Sequence, residues 1–190
     1  MPDAIVLLKN DHKEVEKLFK QFEKLGPNAH KTKRKIVDDI IVALAQHAAI
    51  EEQHFYPAVR KQAADIEDTV LEGLEEHHIV KWTLSELEGM SPEAERFDAK
   101  VSVLMESVRH HVEEEETEMF PEVRKAMGRK ALIELGDTME KARVIAPKRP
   151  HPKAPDTPEK GNLLAGPGAA AMDGVKAAAK KGVRKATRRG

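Results

Sequence analysis

A fifteen-residue segment that occurs twice constrains this chain more than any other feature. The stretch from His47 to Lys61 returns without gaps from His111 to Lys125, with the leading His, a Glu-Glu pair, a Pro and the closing Val-Arg-Lys all in register. An acid-His pair stands ahead of each copy: Asp11-His12 lies 35 residues before His47, and Glu76-His77 lies 34 residues before His111. Two helical hairpins of one design are implied, and packing one against the other gives a four-helix bundle.

Composition agrees with that reading. Aromatic residues are few, with one Trp, one Tyr and five Phe, while Ala, Leu, Val, Glu and Lys dominate as they do in amphipathic helices. The expected fold is all-α, an up-down-up-down four-helix bundle with a short fifth helix and a flexible basic C-terminal tail. The absence of Cys excludes disulfide frameworks, thiolate metal sites and Cys nucleophiles. No basic segment precedes the first apolar stretch and no apolar run is long enough to span a bilayer, so the expectation is a soluble cytoplasmic protein.

Apolar spacing and breakers predict the elements. Helix A runs from Pro2-Asp3 to about Leu25, where Gly26-Pro27-Asn28 stops it. Helix B carries Ile36 through Leu44 and must kink or break at Pro57, which lacks the donor its turn requires. Helix C extends from about Ile66 to Leu87 and ends at Gly89. Ser91-Pro92-Glu93 is read as the N-cap of helix D, which passes Phe97, Val101, Leu104 and Val108 to Pro121. A fifth helix is expected from Lys130 to Val144, and the prolines beyond it place the domain boundary near residue 145. Residues 1–145 are thus read as the bundle and 146–190 as linker and tail.

Polar residues interrupt the core stripes of all four long helices at corresponding places. His12 fills the step between Leu8 and Val15, and helix B continues Val37, Ile40 and Leu44 with His47, Glu51 and His54. His77 shares its face with Val70, Leu74, Val80 and Leu84, whereas His78 and His110 fall on polar faces. His111 continues Val101, Leu104 and Val108 and leads to Glu115. One inward His is usually a hydrogen-bonded core residue, but four imidazoles and two carboxylates in one core would cost several kcal/mol without partners. A metal partners all of them at once. His and Glu four apart differ by about 40° in direction and about 6 Å in height, so an imidazole can hold one ion while the carboxylate reaches a shared position. Six donors exceed what one tetrahedral zinc takes. Two ions bridged by Glu51 and Glu115 are expected, with His12, His47, His77 and His111 supplying nitrogen. The donor set suits iron or manganese, and iron is preferred because such sites in bundles serve oxygen chemistry.

In these residues the chain resembles the hemerythrin-like, or HHE cation-binding, family over residues 1 to about 145. The family pattern of a lone His, a His-x-x-x-Glu, a second lone His and a second His-x-x-x-Glu is met by His12, His47 with Glu51, His77, and His111 with Glu115. The resemblance implies a non-haem diiron centre that binds, senses or reacts with dioxygen, hydrogen peroxide or nitric oxide, with peroxide decomposition as a possible activity. The chain departs from the oxygen-carrying branch, which places His-x-x-x-His on its third helix and His-x-x-x-x-Asp on its fourth; here Lys81 stands four after His77. That departure speaks against reversible oxygen carriage. His54, about 20° from His47 but about 10 Å further along the axis, is either a replacement ligand or a polar residue near the kink. Tyr56 is either a redox-active phenol or an anchor for the kinked turn. Glu52 and Glu116 are candidates to hydrogen-bond ligand imidazoles, or else belong with Glu113, Glu114 and Glu118 to a solvated face.

Residues 141–190 carry thirteen Lys/Arg against three Asp/Glu, so an acidic body precedes a basic tail. The Pro/Gly/Ala-rich stretch 146–174 reads as a linker. The last sixteen residues hold seven basic side chains and no acid, a composition that could neutralise nucleic-acid phosphates without reading sequence, lie on an anionic membrane, or simply solubilise. Three functional classes follow: an oxidant-binding diiron protein, a nucleic-acid-associated sensor of oxygen or iron, and an iron store.

Overall fold

The computed structural model describes residues 2–154. Among them there is no strand, and seven α-helical segments form five rods. Helix α1 (Ala4–Glu23) is capped by Asp3, whose Oδ1 accepts the Val6 amide at 2.9 Å. Helix α2 (His30–Ile50) passes through a π turn, Glu51–Phe55, into α3 (Tyr56–Gln62). A short 3₁₀ turn leads to α4 (Glu67–Gly89). Helix α5 (Phe97–Glu114) passes through a second π turn, Glu115–Met119, into α6 (Phe120–Ala126), and α7 (Arg129–Arg143) closes one end. Packing of α1 on α2, α2 on α4 and α4 on α5 gives the antiparallel bundle. Among the described residues no helix is long and apolar enough to cross a membrane.

The interruption expected at Pro57 takes the form of the π turn, and Pro121 has the same. Each proline lacks the N–H that the carbonyl four residues earlier would receive. The chain widens by one residue ahead of it, so that the amides of Tyr56 and Phe120 pair five residues back with the carbonyls of Glu51 and Glu115. Helix D, in contrast, begins later than expected. Ser91 Oγ accepts the Glu93 amide at 3.2 Å and Ser91 O accepts the Ala94 amide at 3.0 Å, which forms a local turn, and α5 starts at Phe97 without a side-chain cap.

Two apolar clusters fill the interior. Ile5, Leu8, Phe55, Phe120, Leu132 and Met139 belong to the one under α7; Phe19, Ile40, Leu84, Phe97 and Leu104 belong to the other. Beyond α7 the chain stays against the bundle: Ala146, Pro147 and Pro150 are buried, and Arg149 pairs with Glu88 at 2.8 Å. The rest of the linker from residue 155 and the basic 175–190 segment lie outside the described residues.

Candidate metal centre

A layer of buried polar side chains separates the two apolar clusters. Climbing α1, Leu8 is in the first cluster, His12 in the layer and Val15 in the second; His77 divides Val70 from Val80 on α4 in the same way. The two rods that contain π turns supply His47 with Glu51 and His111 with Glu115. All six side chains singled out by pattern therefore meet, and Glu51 and Glu115 are 0% and 1% exposed.

The layer has two halves. One ligand atom from each of His12, His47, Glu51 and Glu115 falls within 4.8 Å of the others, and the same holds for Glu51, His77 and His111. Glu51 Oε2 lies 3.0 Å from His47 Nε2 and 3.4 Å from His77 Nε2; Glu115 Oε2 lies 3.3 Å from His12 Nε2 and 3.7 Å from His111 Nε2. Each carboxylate thus sits between a histidine of one half and a histidine of the other.

Behind each ring stands another carboxylate. Nδ1 of His12 faces Glu116 at 2.9 Å, of His47 faces Asp11 at 3.5 Å, of His77 faces Glu52 at 3.0 Å and of His111 faces Glu76 at 2.6 Å. An ionised carboxylate only accepts, so the Nδ1 position carries the hydrogen and Nε2 is the atom presented to the centre. Asp11 and Glu76 act within their own hairpin, while Glu52 and Glu116 cross to the other hairpin. The π turns make the crossing possible: consecutive glutamates point one into the centre and the next to a facing ring.

The sequence model of the Hemerythrin HHE cation binding domain family matches residues 3–123 of this chain. The chain belongs to that family. An uncharacterized hemerythrin-like protein of Schizosaccharomyces pombe is 25% identical over 149 residues, which cover 78% of this chain and 72% of that one. A DNA nickase of Nostoc sp. is 29% identical over 118 residues, 62% of this chain but 32% of that protein. Among solved structures, a hemerythrin HHE cation binding domain-containing protein of Mycobacterium kansasii aligns with a TM-score of 0.65 at 22% identity, covering 76% of this chain and 86% of that chain, a likeness of fold.

The donors of this HHE domain fit a metal. His12 Nε2, both oxygens of Glu51 and Oε2 of Glu115 are buried without a hydrogen-bond partner. Without cations, protons must take their place. Burial opposes charge on His77, yet Glu51 and Glu52 raise its pKa to about 9. Burial likewise opposes charge on His47, which Glu51 and Asp11 nonetheless lift well above the usual range. Burial would raise Glu51, but His47 and His77 hold it well below the usual carboxylate value. These imidazolium-carboxylate pairs mark a cage whose protons a cation would displace.

Several members of the hemerythrin-like centre are less visible in sequence. Tyr56 is fully buried and its hydroxyl donates to Glu115 Oε1 at 3.1 Å while lying 3.4 Å from His77 Nε2, so it contacts the site as well as anchoring its turn. Burial and the nearby Glu115 push its phenol pKa well up. Lys81 is buried on Glu52 at 3.0 Å. Arg143 of α7 clasps Asp11 through two contacts of 2.6 and 2.5 Å. Asp11 and Glu76 were signalled by their repeated place before a core histidine, whereas nothing in the pattern pointed to Arg143. His54 is half-buried and outside both halves, its pKa lowered by burial. His78 is exposed, and so is His110, which forms an outer group with Glu76 and Glu114.

Proposed function

We propose that the chain is a non-haem diiron protein that binds or reacts with small oxidants: dioxygen, hydrogen peroxide or nitric oxide. His12 and His47 would hold one iron, His77 and His111 the other, with Glu51 and Glu115 between them. The observation that carries this reading is the set of unpartnered carboxylate oxygens centred among four inward Nε2 atoms, a donor set of nitrogen and oxygen suited to iron and too large for one zinc. Iron would supply one-electron redox chemistry and Lewis acidity.

The chain's own residues prepare the site for a small ligand. Glu116, Asp11, Glu52 and Glu76 fix the tautomer and orientation of the four rings. Tyr56 holds a hydrogen on Glu115. Beside the rings a void of about 20 Å³, walled also by Val15, Leu44, Val80 and Val108, has room for about one water-sized molecule. Lys81, engaged with Glu52, stands where the oxygen carriers have a further histidine. That favours reaction or sensing over reversible carriage.

Metal analysis of the purified protein should give two irons per chain, with a visible spectrum that changes on adding peroxide or nitric oxide. One ion per chain, zinc alone, or a spectrum indifferent to all three oxidants would sink the reading. Gas evolution from peroxide would identify an enzyme, and a stable reversible oxygen spectrum a carrier. A second reading, attachment to nucleic acid through residues 175–190, draws on the seven basic side chains and no acid of that segment. It requires DNA binding that weakens steeply with salt and vanishes when those residues are removed.

A further inference from the structure

Among the carboxylates behind the four rings, Glu76 stands apart. Lys9 pairs with Glu116, Arg143 with Asp11 and Lys81 with Glu52, but no Lys or Arg pairs with Glu76 among the described residues. The charged groups that bear most on it are His111, His110 and His77. The sequence around it supplies no cation either: residues 67–80 hold five acids and 110–123 hold six, and neither stretch contains Lys or Arg. An anion that fixes a ring is thus left in a field of its own sign.

The repeat shows how the other hairpin treats the same place. In register, Asp11 answers to Glu76, Gln46 to His110 and Ile50 to Glu114. On the first hairpin α7 covers it: Arg143 clasps Asp11, Gln46 Nε2 donates to the Arg143 carbonyl at 3.2 Å, and Ile50 is buried. On the second the place is open to water, with the His110 side chain 65% exposed, and two metal-ligating side chains replace an amide and an alkyl group. One atom from each of Glu76, His110 and Glu114 falls within 4.8 Å of the others, and His110 Nε2 lies 3.3 Å from Glu114 Oε1. His110 and Glu114 have the four-residue spacing of His47 and Glu51, so imidazole and carboxylate leave α5 on one side. Glu76 holds His111 through Oε2 at 2.6 Å, and a carboxylate has a second oxygen to offer. Two carboxylates with one imidazole stay negative whether or not the ring is protonated.

We propose that Glu76, His110 and Glu114 bind a divalent transition-metal ion of the zinc class on the outside of the bundle, which serves Glu76 as Arg143 serves Asp11. An imidazole among the donors selects such an ion over magnesium or calcium, which favour oxygen alone. Three side chains leave the fourth position of a tetrahedral zinc to water. The site goes beyond the diiron reading and does not rest on it, because it shares none of the six inner donors.

Zinc chloride is the probe. The full chain, its inner centre filled and the content of that centre measured before and after, is titrated calorimetrically in a large excess of magnesium. One zinc per chain beyond the inner ions is expected, and it should raise the melting temperature. His110→Ala, at an exposed position and with helix content checked by circular dichroism, should weaken this binding by about tenfold or more and remove the thermal shift. Glu114→Gln should do the same, whereas His78→Ala, exposed on α4 but outside the group, should bind as the parent does. Should the inner centre hold ions other than iron, the difference between parent and His110→Ala still stands, which separates the failure of the two readings. No additional zinc, uptake matched by loss of an inner ion, displacement by magnesium, or unchanged affinity in His110→Ala would overturn the assignment.

Discussion

Three of the four carboxylates that hold the histidine rings are themselves held by a fixed cation: Glu116 by Lys9 at 3.1 Å, Asp11 by Arg143 and Glu52 by Lys81. The Glu52–Lys81 pair is buried on both sides, so its loss is costly in a way that an exposed pair's is not. Lys81→Met keeps the volume but leaves the buried Glu52 charge to His77 alone, and should lower stability of the metal-free protein by about 3 kcal/mol in denaturant unfolding. Protonation gives a second residue-level expectation. His77 titrates at about 9 in the metal-free fold against an ordinary 6.5. A raised pKa adds stability that is complete below pH 6.5 and is lost as pH climbs toward 9. Melting temperature of the metal-free protein should fall across that window. Metal affinity should rise over the same window, since the ions displace those protons; a flat affinity profile would contradict the cage described here.

At the scale of elements, α7 is more than a lid. Gly136 lets it cross the start of α1 so closely that an added Cβ would lie 2.6 Å from the Pro2 carbonyl oxygen and 2.9 Å from the Ala4 nitrogen. Backbone cannot yield as a side-chain tip can. Gly136→Ala should therefore destabilise by about 2 kcal/mol in spite of the roughly 1 kcal/mol gain in helix propensity. The same helix orients His47 through Arg143 and Asp11, so Arg143→Ala should lower metal retention against a chelator by about tenfold while helix content by circular dichroism is unchanged. The elements were unequally legible in the sequence. Core stripes along single helices pointed His12, His47, His77, His111, Glu51 and Glu115 inward, and all six are buried, because direction around a helix follows from spacing alone. Pro57 announced a break, but the crossing of Glu52 to His77 depends on what the facing rod offers. Ser91 had the chemistry of a cap and made a tight turn instead. Arg143 was unreadable, since it acts across 132 residues of chain.

For the molecule as a whole, the repeat yields a near-twofold layer between two apolar clusters, and the two halves of that layer are not copies. Tyr56 of the first repeat corresponds to Phe120 of the second. The phenol sits by His77 and donates to Glu115, while the Phe120 ring stacks on His12 with centroids 5.9 Å apart. Counted from the lone histidines, Lys81 corresponds to Glu16: one is buried on Glu52, the other reaches out to Arg109. Two irons seated here would consequently be spectroscopic strangers, resolved as two unequal Mössbauer doublets rather than one. A single added electron would then have a preferred address, trapped on one atom instead of shared, and changing Tyr56 to Phe should draw the two signals together.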